Sequence, residues 1–278
     1  MRIWHQSFTD LDAFPLYRDT LAAHGAKVMQ GRAEVTVHGL APGTYPSGVA
    51  PMDMNSIAAM RMLGDQQVCA AALAAQEAGY DAMAIGCFFD PALHAARSLV
   101  DIPVLSLTES CMLTACSLGR KFAMISLTPF QKMLTEELAH SYGLTSRMAG
   151  VVAMTPAVKL FDLERPEAVE GLRASFTKAC EEALALGAEV IIPGDGVLNE
   201  FLVRQGMLKV AGAVVLDSLG VLFHHAEFMA RGRAVGVLDV SRTLLYAQPS
   251  AQMLAHARDV HHAFDRAETD FSGRKKQP

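Results

Sequence analysis

The chain has 278 residues, enough for one large or two small domains, and half of them are hydrophobic, which excludes a disordered or coiled-coil protein. Its net charge of −5 comes without a long basic run, so nothing marks a nucleic-acid partner. No stretch reaches the roughly 18 uninterrupted apolar residues of a membrane span, and the start, Met1-Arg2-Ile3-Trp4-His5-Gln6, lacks the apolar core of a signal peptide. Five cysteines without C-x-x-C spacing fit a reduced, cytoplasmic protein.

In chain order, residues 2–5 read as a short strand and residues 11–24 as a helix closed by Gly25. A second strand lies near residues 35–37. Residues 39–55, GLAPGTYPSGVAPMDMN, are dense in Gly and Pro and read as a long loop, a kind of segment that is usually functional or mobile. Residues 66–78 are Ala-rich and helical, with Gly79 behind them. Residues 82–85 form a buried strand, and residues 91–99 a helix with Asp90 as N-cap and Pro91 at its first position.

Residues 102–107 give the next strand and residues 109–118 a helix ended by Gly119. The apolar run 122–127 leads into Thr128-Pro129, again a cap and a first-turn proline, and a helix to Tyr142. A strand over 150–154, a helix over 166–186 and a strand over 189–192 continue the alternation. The face of that helix is set by Phe176, Ala179, Cys180, Ala183 and Leu184 at helical spacing. Strands alternating with helices call for parallel sheets covered on both faces. The tail GRKKQP is polar and is expected to fray.

An internal echo organises this pattern. GYDAMAIGC (79–87) aligns with GAEVIIPGD (187–195): Gly79 with Gly187, Asp81 with Glu189, Gly86 with Gly194, and Cys87 with Asp195. A helix and an apolar strand follow each copy. The expectation is two α/β halves, one built from residues 1–108 and 217–278 and the other from 109–216. Strand ends are where such sheets build sites, so Cys87 and Asp195 become paired candidates. Two proton-transfer groups flanking one carbon are what inversion of a stereocentre requires.

The strings HQSF, CFFDPAL, DIPVLSLTES, GRKFAMISLTPF and GAEVIIPGDG resemble the aspartate/glutamate/hydantoin racemase superfamily over most of the chain, and C-x-x-D-P-x-L…D-I-P-V is most similar to its hydantoin and allantoin racemase branch. The resemblance implies two similar Rossmann- or flavodoxin-like parallel-sheet halves related by a pseudo-two-fold, with the active site between them. It also implies cofactor-independent proton transfer, no metal, a small carboxylate or cyclic ureide as substrate, and a homo-oligomer. The family uses one cysteine from each half; here the first is Cys87, while Asp195 stands where the second would be. Gln6 and Ser7 fall where the family binds the substrate's polar end, and Phe88 and Phe89 offer backbone N–H groups there. Ser126 and Thr128 sit at the corresponding edge of the second half, and Gly194 and Gly196 flank Asp195 as further substrate-binding candidates.

Each candidate has a plainer alternative. Cys87 precedes a predicted helix, whose start would favour thiolate, but a cysteine is also a common small core residue. Asp195 between two glycines is either a carboxylate base or the N-cap of the helix after Gly196, and the two roles can coexist. Thr128 reads equally as a cap. Cys69, Cys111, Cys116 and Cys180 read as core. His224-His225 and His261-His262 point about 100° apart on a helix, so they read as surface residues and not as metal ligands. Two other activities stay open: a decarboxylase or other lyase using Cys87 alone as proton donor to an enediolate, and a small-ligand binding protein without turnover.

Overall fold

A computed structural model describes residues 1–264, so the GRKKQP tail lies outside the described residues. Strand β1 (Arg2–Gln6) is followed by a 3-10 turn and helix α1 (Pro15–Met29), then β2 (Glu34–His38). Helix α2 (Pro51–Asn55) interrupts the predicted loop, and α3 (Ala58–Glu77), β3 (Ala82–Ile85), α4 (Leu93–Leu99), β4 (Val104–Ser106) and α5 (Leu107–Leu118) follow. The second run is β5 (Phe122–Ser126), α6 (Pro129–Ser141), β6 (Met148–Ala153), α7 (Val169–Ala185), β7 (Val190–Pro193) and α8 (Gly196–Arg204). A hairpin of β8 (Lys209–Val210) and β9 (Ala213–Val215), then α9 (Ser218–Ala234) and α10 (Ala251–His261), follow among the described residues.

The strands form two sheets, ordered β2-β1-β3-β4 and β6-β5-β7-β9-β8. With the short antiparallel edge strand β8 set aside, each sheet has the order second-first-third-fourth. β3 and β7, which carry the two copies of the echo, hold the same place in their sheets. β1 pairs in parallel with β2 and β3, and β5 in parallel with β6 and β7. The expected α/β architecture of two parallel-dominated sheets is therefore present. Parallel strands covered by helices must be apolar along their whole length, and β3, β5 and β7 are buried at every position.

The chain divides into two compact units. Among the described residues, the first comprises Met1–Gly86, Pro91–Leu105 and residues 223–264; the second comprises Cys87–Asp90 and Ser106–Leu222. Ile3, Leu21 and Met83 lie in the core of the first, and Phe122, Phe176 and Phe201 in that of the second. Each such side chain contributes roughly 1.5–3 kcal/mol by leaving water.

Two helix boundaries differ from the sequence reading for local reasons. Gly25 does not end α1: the helix passes through it because a Cβ there would lie 3.1 Å from Val35 Cβ, so glycine serves close packing on β2. The true end is Gln30, in the left-handed conformation. Helix α4 begins at Leu93, not Pro91, with Ala92 left-handed ahead of it, and Asp90 does not cap it.

The first unit contains a buried imidazole. His5 has no exposed surface, and neither ring nitrogen has a partner among the described residues. Burial, helped by His38, lowers its pKa to about 3, so the ring is neutral. It packs edge-on against Phe223, and its Nε2 occupies the space a Cβ on Gly86 would need, 2.1 Å from that position. Gly86→Ala is therefore expected to destabilise the protein by about 1–3 kcal/mol. In urea unfolding this will appear as a lower midpoint at unchanged slope.

Candidate active site

The end of β7 sets the geometry around Asp195. Gly194 donates its N–H to Ile125 O at 2.8 Å, and a Cβ on Gly194 would lie 2.8 Å from that same oxygen, so only glycine lets the two strand ends run this close. The next residue, Asp195, is extended, and the buried Gly196 opens α8. Asp195 Oδ1 accepts the N–H groups of Val197 at 2.8 Å and Leu198 at 3.1 Å, a helix N-cap. Its other oxygen accepts from Gln131 Nε2 at 3.3 Å.

Three N–H donors favour the ionised carboxylate, yet burial outweighs them and moves Asp195 up to about 6. Capping and proton transfer are therefore compatible in one residue. The carboxyl is oriented by the start of α8, and its proton comes and goes close to neutral pH.

Gln131 belongs to the capping box that opens α6. Thr128 Oγ1 accepts the Gln131 N–H, and Gln131 Oε1 accepts the N–H groups of Leu127 at 2.7 Å and Thr128 at 3.2 Å. The Thr128 hydroxyl is thus engaged in capping. One residue earlier, Ser126 ends β5 with a buried hydroxyl that has no partner among the described residues. An orphaned buried hydroxyl beside a capped helix start is a polar contact available to a bound molecule.

Cys87 lies half-buried after β3, in the short segment that packs with the second unit. It is not at the N-terminus of α4: residues 88–92 separate it from that helix. Phe88 is buried, and Phe89 packs edge-on against Phe130 in the first turn of α6, ring centres 6.0 Å apart. The Cys87–Asp90 segment and Asp195 therefore both touch the start of α6, through Phe130 and Gln131 respectively. None of the five cysteines is in a disulfide. Cys69, Cys111 and Cys180 are buried, and burial raises all three thiols, the first and last to about 12. They stay protonated.

Gln6 and Ser7 lie in the first unit, both buried. The Gln6 amide donates to Ser7 O and Gly39 O, and its oxygen accepts from Trp4 Nε1, so its side chain ties β1 to the start of the long loop. Three residues of importance were not marked from the sequence: Gln131, Asp90 in its actual role, and Tyr142. The T-x-x-Q spacing of Thr128 and Gln131 was the readable sign of the first. No local sign existed for the others, because their contacts join distant parts of the chain. Among the described residues no group of three His, Cys, Asp or Glu side chains could hold a metal ion, and no helix is long and apolar enough to cross a membrane. His224 is exposed and lies 3.5 Å from Glu227.

Two parallel-dominated sheets of matching strand order make this an α/β protein built from two similar halves. The chain belongs to the Asp/Glu/Hydantoin racemase family, whose model matches residues 15–226. It is 36% identical over 152 residues to a hydantoin racemase of Pseudomonas sp. (strain NS671), a match that covers 53% of this chain and 58% of that protein. Over 179 residues it is 30% identical to a hydantoin racemase of Rhizobium meliloti, covering 64% and 70%. Its fold is similar to that of an allantoin racemase from Klebsiella pneumoniae, with a TM-score of 0.73 at 22% identity over 90% of this chain and 94% of the other.

The raised Asp195 carboxyl has a testable sign. Its native pKa of about 6 lies above the ordinary 3.8, so the folded state holds the proton more tightly and loses stability as pH rises from about 4 through 6. Asp195→Asn lacks this dependence. The stability of the wild-type protein relative to the variant is thus expected to fall between pH 4.5 and pH 7.5 in urea unfolding. A difference that does not change with pH contradicts the assignment.

Proposed function

We propose that the chain is a cofactor-independent racemase or isomerase of a small carboxylate or cyclic ureide, with Cys87 and Asp195 as its acid/base pair. The observation that carries this reading is the Asp195 carboxyl, oriented by the first N–H groups of α8 and raised to about 6. A group with that pKa can exchange a proton near neutral pH, and it occupies the position where the family's second thiol stands. Family membership and likeness to hydantoin racemases support the substrate class. The protein is read as a cytoplasmic homo-oligomer on the absence of disulfides among its cysteines and on that likeness.

The chemistry follows from the carbon acid. In one direction the Asp195 carboxylate removes the proton from the carbon next to a carbonyl, and the electron pair moves onto the carbonyl oxygen to give an enolate. The Cys87 thiol then delivers a proton to the opposite face of the same carbon. The reverse reaction starts from Cys87 thiolate and protonated Asp195, so each turnover exchanges the protonation states of the two groups. Backbone N–H groups and the Ser126 hydroxyl are the donors available for the oxyanion. The reading requires the Cys87 sulfur and an Asp195 oxygen to flank one carbon.

The experiment is to incubate the protein with one enantiomer of a 5-substituted hydantoin in deuterium oxide, following optical rotation and deuterium at C5. Loss of rotation with deuterium incorporation is expected. Cys87→Ala and Asp195→Asn are each expected to lower kcat by about 10²–10⁴-fold, the usual contribution of a positioned acid or base. Full turnover by Cys87→Ala would overturn the thiol's role, and unchanged turnover by Asp195→Asn would return that residue to capping alone.

A further inference from the structure

Asp90 stands out because its side chain serves a helix other than the one it precedes. Oδ1 accepts the N–H of Thr108 at 3.0 Å, and Oδ2 accepts the N–H of Glu109 at 3.2 Å, so the carboxyl caps α5 from a distant segment. The Tyr142 hydroxyl, at the C-terminal end of α6, donates to the same Oδ2 at 2.5 Å. Within the segment itself, the Asp90 N–H donates to the Cys87 carbonyl at 3.3 Å, which closes the turn that holds the thiol.

The turn is held against its own preference. Asp90 has φ +45° and Ala92 has φ +52°, left-handed conformations that cost a residue with a Cβ of order 1 kcal/mol or more each. Such backbone persists only where surrounding contacts over-determine it. Here the contacts are two amides of α5, one phenol of α6, and the packing of Phe89 on Phe130. Together they account for the assortment of Cys87–Asp90 with the second unit while the chain on either side belongs to the first.

We propose that Asp90 is a positioning residue for Cys87, its carboxyl clamping the thiol-bearing turn to the start of α5 and to the Tyr142 hydroxyl. The proposal rests on the reading of Cys87 as a proton-transfer group only for its effect on turnover. The clamp itself is a matter of where the thiol is held. Burial raises Asp90 to about 6, opposed by its hydrogen bonds from Tyr142 and Thr108 and by the Ser106 hydroxyl. The titratable groups facing it are Tyr142 at the end of α6 and Glu109 and Cys111 on α5, with Cys87 in its own turn. None of these is a cation, and the hydrogen bonds that hold the carboxyl come from two amides and the Tyr142 hydroxyl.

A loosened turn exposes the sulfur to small reagents but moves it out of reacting position, where about 1 Å can cost on the order of 100-fold in rate. The clamp therefore predicts opposite changes in two rates. In Tyr142→Phe and Asp90→Asn, iodoacetamide labelling of Cys87, read by peptide mass, is expected to rise at least about three-fold, while kcat for hydantoin racemisation falls by about tenfold or more at nearly unchanged KM. Cys69, Cys111 and Cys180 are expected to stay unlabelled. Wild-type labelling of Cys87 in both folded variants would overturn the proposal, and so would a rise shared equally by Cys111, which reports general loosening. Should Asp90→Asn fail to fold, Tyr142→Phe decides alone, since it removes one hydroxyl from a half-buried side chain. Labelling does not depend on turnover, so a Cys87→Ala protein that remained active would end the proposed mechanism and leave the clamp standing.

Discussion

The second unit is organised by carboxylates that take the unpaired N–H groups at helix starts. A helix begins with amides that have no partner within the helix, and in a parallel α/β fold these amides gather near the strand ends. Asp195 meets this need locally for α8, and Asp90 meets it across sequence for α5. In both residues burial opposes the charge that the amides favour. The two effects leave each carboxyl near 6, well above the ordinary aspartate range. Orientation and a pKa close to neutrality thus have one physical origin.

That origin bears on the proposal that Asp195 serves as an acid/base group. A solvated carboxylate is too weak a base to exchange protons usefully at neutral pH. Burial at the end of β7, with Gly194 pressed against Ile125 O, raises it into range. Oδ1 of Asp195 also anchors α8 through Val197 and Leu198, which a thiol would do poorly.

The alternation of apolar runs and helical stretches made the fold legible, because buried parallel strands must be apolar throughout and their helices must carry a stripe. The echo of Gly79–Cys87 in Gly187–Asp195 even identified the equivalent strands β3 and β7. Helix ends were less legible. Gly25 reads as a terminator but serves packing on Val35, and Asp90-Pro91 reads as a local cap although its carboxyl crosses to α5. Local patterns cannot report a partner 18 residues or more away. For the same reason Asp195 was legible as a cap, being two and three residues from its donors, whereas the reach of Gln131 to Asp195 and of Tyr142 to Asp90 was not. Gln6, a polar residue at a strand end, makes contacts the sequence does not announce, to Trp4, Ser7 and Gly39.

The central claim is that burial holds the Asp195 carboxyl in the range where it can both lose and regain a proton. Carbon-13 NMR of the aspartate carboxyl groups in the intact folded chain, with Asp195→Asn used to assign its signal, measures this without reference to any substrate. A titration midpoint near 6 is the result the account predicts. A midpoint at or below about 4 would show an ordinary capping aspartate and contradict it.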